Sequence, residues 1–128
     1  MAKKILIVDD EADFLDVMKI RINGWGYDCL GASSGQEALE TLSKHKIDVV
    51  ILDYIMPHMD GLATLKEIRK VNKDMPVVML TAHPDKKVIK GSEKQGVVVF
   101  IPKVSAYQDM HDALKTALDM VLKKGNKA

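Results

Sequence analysis

VVILDYIMPHMDG, residues Val49 to Gly61, runs four apolar residues straight into a carboxylate and closes on a Met-Asp-Gly turn. Val49 to Leu52 show no polar alternation, the pattern of a strand covered on both faces, as in a parallel sheet. A strand buried that way holds the residue at its mouth, Asp53, rigidly at a rim. Taken alone, Asp53 reads as a helix cap or a solvated turn residue. Its company decides otherwise.

Three further runs have the same character: Ile5 to Val8, Val77 to Leu80 and Val97 to Ile101, with a weaker strand expected over Tyr27 to Ala32. Helical spacing fills the gaps. It is clearest at the end, where Met110, Ala113, Leu114, Ala117, Leu118, Val121 and Leu122 share one face. Ser34 with Glu37 reads as a capping box for a helix reaching about Lys44, and Gly24 and Gly26 close the first helix. The segment Asp85 to Gln95 is a weak helix, because Gly91 interrupts it and interior Gly costs about 1 kcal/mol relative to Ala. Five β-α units in succession predict an α/β fold: a five-stranded parallel sheet with helices on both faces and right-handed crossovers.

The chain has 128 residues, enough to bury one core without staples. Its formal charge of +1 gives no overall pull toward nucleic acid or an anionic membrane. The single cysteine, Cys29, excludes an internal disulfide and fits a reducing compartment, so the expected location is the cytoplasm. No apolar run is long enough for a signal-peptide core or a membrane span. The expected organisation is one domain over residues 4–122, a polar tail over 123–128 and no output domain. The four histidines, at no metal-ligand spacing, read as surface residues.

In open parallel sheets, ligands bind at the carboxyl ends of the strands. The residues there are Asp9 and Asp10 after the first run, Asp53 after the third, Thr81 after the fourth and Lys103 after the fifth. Crowded carboxylates call for a raised pKa, a cation or a basic neighbour. Oxygen ligands of this kind suit Mg²⁺. A carboxylate beside Mg²⁺ can attack phosphorus and carry a phosphoryl group, which Thr81 can hydrogen-bond and Lys103 can neutralise.

Together, Asp9-Asp10, Asp53 followed by Met56-Pro57 and Asp60-Gly61, Thr81-Ala82 and Lys103 resemble the receiver domain of two-component response regulators, over Lys4 to about Leu122. The resemblance implies a flavodoxin-like strand order 2-1-3-4-5 and a phosphorylation-activated switch rather than an enzyme. It implies Asp53 as phosphoacceptor, fed by a histidine kinase, a phosphotransfer protein or a small phosphodonor. Mg²⁺ would be held by Asp9, Asp10, Asp53 and the backbone carbonyl of Ile55. Thr81 and Phe100 would be the switch residues, and Ile55 and His83 would tune dephosphorylation. Phe14 and Val17, a second apolar row on the first helix, are expected to help dock the kinase. The output is expected through the face of the fourth helix, fifth strand and fifth helix, toward a protein target and not nucleic acid, from a monomer or a phosphorylation-dependent dimer. Receivers commonly follow the lysine with a cis proline; here Pro102 precedes Lys103 and Val104 follows it.

Three other readings fit less well. A Mg²⁺-dependent phosphatase with an aspartate nucleophile resembles DxDx[TV] after the first strand, whereas this chain has Asp9-Asp10-Glu11-Ala12. A flavin protein wants Gly, Ser and Thr where these acids stand. A receiver-like scaffold without phosphorylation would lack one of the acids, and none is lacking.

Overall fold

A computed structural model describes residues 2–54, 60–82, 86–103 and 107–125. The elements alternate throughout: β1 (Lys4–Val8), α1 (Ala12–Gly24), β2 (Asp28–Ala32), α2 (Gly35–Lys44), β3 (Val49–Leu52), α3 (Gly61–Val71), β4 (Val77–Thr81), α4 (Lys86–Lys94), β5 (Val99–Pro102) and α5 (Tyr107–Gly125). All strand pairs are parallel and the order is β2-β1-β3-β4-β5, as the resemblance implied. Ile5 pairs with Val49 and Val8 with Leu52, so β1 and β3 end level with one another.

Successive side chains on a strand point to opposite faces. Ile5, Ile7, Val49, Ile51, Val78 and Leu80 meet Met18 and Ile22 of α1 and Met110, Leu114 and Leu118 of α5. On the other face, Leu6, Val8, Val50, Leu52 and Met79 meet Ala38 of α2 and Leu65 and Ile68 of α3. The unbroken apolar runs are thus explained, since each strand feeds two cores. The edge run departs from expectation. β5 begins at Val99 rather than Val97, and Val98 is about half exposed, because no strand lies beyond β5 and its faces are only partly covered.

Local chemistry sets the helix boundaries. Ser34 Oγ accepts from the Glu37 N–H (3.1 Å) and opens α2; Asp60 Oδ1 accepts from the Ala63 N–H (2.8 Å) and opens α3. Gly61 is dictated by close approach: a Cβ there would lie 2.4 Å from the Asp53 carbonyl oxygen. The α3 start is therefore pressed onto the end of β3, beside the acid. Gly91, the apparent weakness of α4, has a similar cause, since a Cβ would lie 2.8 Å from Leu62 Cδ1 of α3.

One expectation needs correction. His111 is buried, not on the surface: it packs edge-on against the Trp25 ring, with centroids 6.1 Å apart. The α5 backbone stays helical to Gly125, into the segment expected as a polar tail. Tyr27 ties α5 back to the start of β2 by donating its hydroxyl hydrogen to Asp119. Burial and this carboxylate push the phenol up to about 12.

Candidate functional site

The strand ladder continues one residue past β1, β3 and β5, and those residues are the candidates. The Asp9 N–H donates to the Ala32 carbonyl (3.0 Å), the Asp53 N–H to the Val8 carbonyl (3.0 Å), and the Lys103 N–H to the Thr81 carbonyl (2.7 Å). Carbonyls of three neighbouring strands, β2, β1 and β4, thus fix the backbone of three charged residues at one edge of the sheet. Thr81 itself is the last residue of β4 and fully buried.

The side chains converge as the spacing suggested. Asp9, Asp10 and Asp53 each offer a carboxylate oxygen, and these oxygens all lie within 4.8 Å of one another. Asp9 and Asp53 are buried while Asp10 is exposed. Asp9 Oδ1 accepts from the Glu11 N–H (2.9 Å), which turns the chain into α1. Lys103 Nζ lies between the acids, donating to Asp9 Oδ2 at 2.6 Å and to Asp53 Oδ2 at 3.3 Å. Of the three acids, Asp10 is the one open toward solvent. Hard oxygen donors at this spacing fit a small divalent cation that keeps part of its water shell.

The electrostatics follow from burial. Desolvation pushes Asp53 up to about 6, with Lys103 opposing the shift and Asp9 adding to it. Desolvation also raises Asp9, against its hydrogen bonds from Lys103 and Glu11. Burial alone would lower Lys103, but its hydrogen bond to Asp9 and the charges of Asp53 and Asp9 outweigh that and raise it. The amine stays protonated, and Asp53 gives up its proton only around pH 6. Such a site is poised to accept positive charge or a group that displaces a proton.

Phe100 is half-buried on β5 and paired with Met79, packing toward the α2 and α3 side. Val17 is exposed on α1, next to the still more exposed Ile20, 71% accessible. Phe14 sits elsewhere: it is half-buried against the core, and its ring lies 4.1 Å from Lys103 Nζ. Ile55, with its carbonyl, His83 and the Lys103–Val104 peptide lie outside the described residues; among the described residues no peptide bond is cis.

Two neighbours escaped the sequence reading. Glu11 Oε1 reaches Lys103 Nζ at 3.3 Å, and Phe14 supports the same ammonium from below. Lys103 stands 92 residues from Glu11, so no local spacing could reveal either contact.

Fold and site together define a class: a doubly wound parallel α/β protein whose strand ends gather three acids and a lysine. Residues 5–115 match the model of the response regulator receiver domain family. The chain belongs to that family, the receiver domains of two-component signalling. It is 34% identical over 114 residues to the transcriptional regulatory protein ZraR of Escherichia coli K12, a match covering 89% of this chain and 26% of ZraR. The chain thus spans about a quarter of the length of the curated relatives it matches. Among solved structures, a CheY-like receiver domain protein from Methanospirillum hungatei aligns with a TM-score of 0.85 at 27% identity, over 97% of this chain and 99% of that one. TrrA of Thermotoga maritima, solved in complex with Mg²⁺-BeF, aligns with a TM-score of 0.77 at 31% identity, over 90% and 98%. No helix among the described residues is long and apolar enough to cross a membrane.

Proposed function

We propose that this chain is a phosphorylation-activated switch whose phosphoacceptor is Asp53. One observation carries the reading: three carboxylates each offer an oxygen within 4.8 Å of the others at the carboxyl edge of the sheet, with a buried lysine ammonium bonded to two of these carboxylates. Repulsion among these acids is relieved only in part by Lys103, and a divalent cation would complete the relief. Asp9, Asp10, Asp53 and the Ile55 carbonyl would hold Mg²⁺. When bound, that ion neutralises charge on a phosphoryl group and helps align it. The Mg²⁺-BeF complex of TrrA supports the choice of metal.

An Asp53 carboxylate oxygen attacks phosphorus of a phosphohistidine on a histidine kinase or phosphotransfer protein, or of a small acyl phosphate. The bond from phosphorus to the leaving nitrogen or oxygen breaks, and the electron pair departs with the leaving group. The product is an aspartyl phosphate. Lys103 shifts from the carboxylates toward a phosphoryl oxygen, and the Thr81 hydroxyl donates to another. These contacts exist only in the phosphorylated state, so they supply the differential free energy that shifts the population. Phe100 follows Thr81 into a more buried rotamer, and the α4-β5-α5 face changes for a protein target. Ile55 and His83 govern access of water to the phosphoryl group. Val17, with Ile20 beside it, would meet the kinase, while Phe14 serves Lys103 from below.

The receiver family comprises signalling switches, so the only chemistry assigned is the chain's own phosphorylation and dephosphorylation, in the cytoplasm. The phosphatase alternative gains no support, since Glu11 reaches Lys103 rather than standing as a second acid over Asp53. The test is incubation with Mg²⁺ and acetyl phosphate followed by intact mass measurement. One phosphoryl adduct is expected, absent in Asp53→Asn and absent in chelator; an adduct that persists in Asp53→Asn would sink the assignment.

A further inference from the structure

The charges of this nearly neutral chain are segregated. Between Gly61 and Gly96 the sequence has eight basic and four acidic side chains, and outside that span eleven basic and fourteen acidic. The excess is organised in two rows. Lys66 and Lys70 stand one turn apart on α3 with Lys73 in its exit turn; Lys86, Lys90 and Lys94 stand at successive turns of α4. Residues at i and i+4 share a helix face, and both rows lie opposite the buried positions, Leu65 and Ile68 on α3 and Val88 and Ser92 on α4. All six lysines are exposed.

The two rows form one surface held in a fixed relation. Gly91 lets α4 close onto Leu62 of α3. Arg69 then ties the ends of the two helices: its guanidinium donates to the carbonyls of Met75 (2.7 Å), Gln95 (2.6 Å) and Gly96 (3.2 Å). Among the described residues, only Lys70 of the six lies within ion-pair distance of a carboxylate, Glu67 at 2.8 Å. Like charges one turn apart destabilise a helix, and within the described chain little offsets them. An anionic partner would.

We infer that the α3-α4 face docks an acidic segment of a partner protein, a helix or extended stretch with several carboxylates spread over about 12 Å, the rise from Lys86 to Lys94. Three features favour a protein over nucleic acid. No Phe, Trp or Tyr occurs between Gly61 and Gly96, so no platform for base stacking exists. The only arginine of the span is committed to backbone carbonyls and is not free to fork a phosphate or a guanine. The remaining cations are lysines, hydrated point charges suited to exposed carboxylates. This docking does not rest on the phosphoryl chemistry of Asp53, because both rows are already formed in the unphosphorylated chain.

The test is titration of the ¹⁵N-labelled full chain with an oligoglutamate peptide and, separately, with a duplex DNA of similar charge. Oligoglutamate is expected to shift amides over 61–73 and 86–96, with affinity falling steeply as salt rises. Reversing four charges together (Lys66→Glu, Lys73→Glu, Lys90→Glu, Lys94→Glu) should weaken binding by about tenfold or more. The same four positions as Arg should retain it. These are surface changes, and unshifted amides elsewhere report that the fold is intact. Absence of shifts, shifts confined to other lysines, or tighter binding of the duplex at the same face would each overturn the inference.

Discussion

The centre and the edge of the sheet are built differently. Every residue of β3 is fully buried, and Ile5 to Val8 of β1 are at most 1% exposed. In β5 only Ile101 is buried, and Val98 beside it is 48% exposed. The central pair carries Asp9 and Asp53, whose backbone N–H groups are tied to the neighbouring strands. The edge carries Phe100 and leads to Lys103. Chemistry that needs fixed geometry sits where packing is dense on both faces. Residues proposed to respond sit where local free energies of opening are smaller.

Substitutions in the two regions sharpen that contrast. Leu52→Ala should cost about 3–4 kcal/mol in urea unfolding, while Val99→Ala should cost less than about 1.5 kcal/mol. Equal losses would break the comparison. Next in size, Lys103→Met should slow labelling by acetyl phosphate about 100-fold, the scale for losing one buried stabiliser of developing charge. Rapid quench with intact mass detection measures it.

The pH response of the centre comes third. Asp53 keeps its proton up to about pH 6 when folded but only to about 3.9 when unfolded. Its contribution to stability is therefore fully present below the lower value and is lost as pH rises through the higher one. In metal-free buffer at pH 7.5, Asp53→Asn should be more stable than the parent by about 1–3 kcal/mol, and the gain should shrink as pH falls from 6 toward 4. Added Mg²⁺ should stabilise the parent far more than the variant. Urea titrations at several pH values read both effects. Smallest is Phe14→Leu, which removes the ring beneath Lys103 and should slow labelling by a factor of about two to five, a cation-π contact being worth about 0.5–1 kcal/mol.

Much of the centre was legible in the chain. Val49 to Leu52 announced a doubly covered strand because a parallel strand in mid-sheet feeds two cores, and Ser34 with Glu37 marked the start of α2. Asp9, Asp10 and Asp53 could be placed together because a parallel sheet brings every strand end to one edge. Strand order came from resemblance, since apolar runs do not encode which strand neighbours which. The edge was read less well. Val97 and Val98 look like buried strand residues, but the number of covering elements is a property of the whole sheet. His111 resembled a surface residue until α5 laid it on Trp25, and the contact of Phe14 with Lys103 joins residues from opposite ends of the chain. Gly91 read as a weakness of α4, because its contact with Leu62 is made only after α3 and α4 pack.

The central claim is that the buried acid of β3's mouth takes the phosphoryl group. The most direct measurement is chemical mapping: the chain is phosphorylated with acetyl phosphate and Mg²⁺, reduced with borohydride, digested and sequenced by mass spectrometry. An aspartyl phosphate reduces to homoserine, which should appear at position 53 and nowhere else. Homoserine at position 9 or 10, or a phosphoryl label retained on a hydroxyl or histidine side chain, would contradict the account.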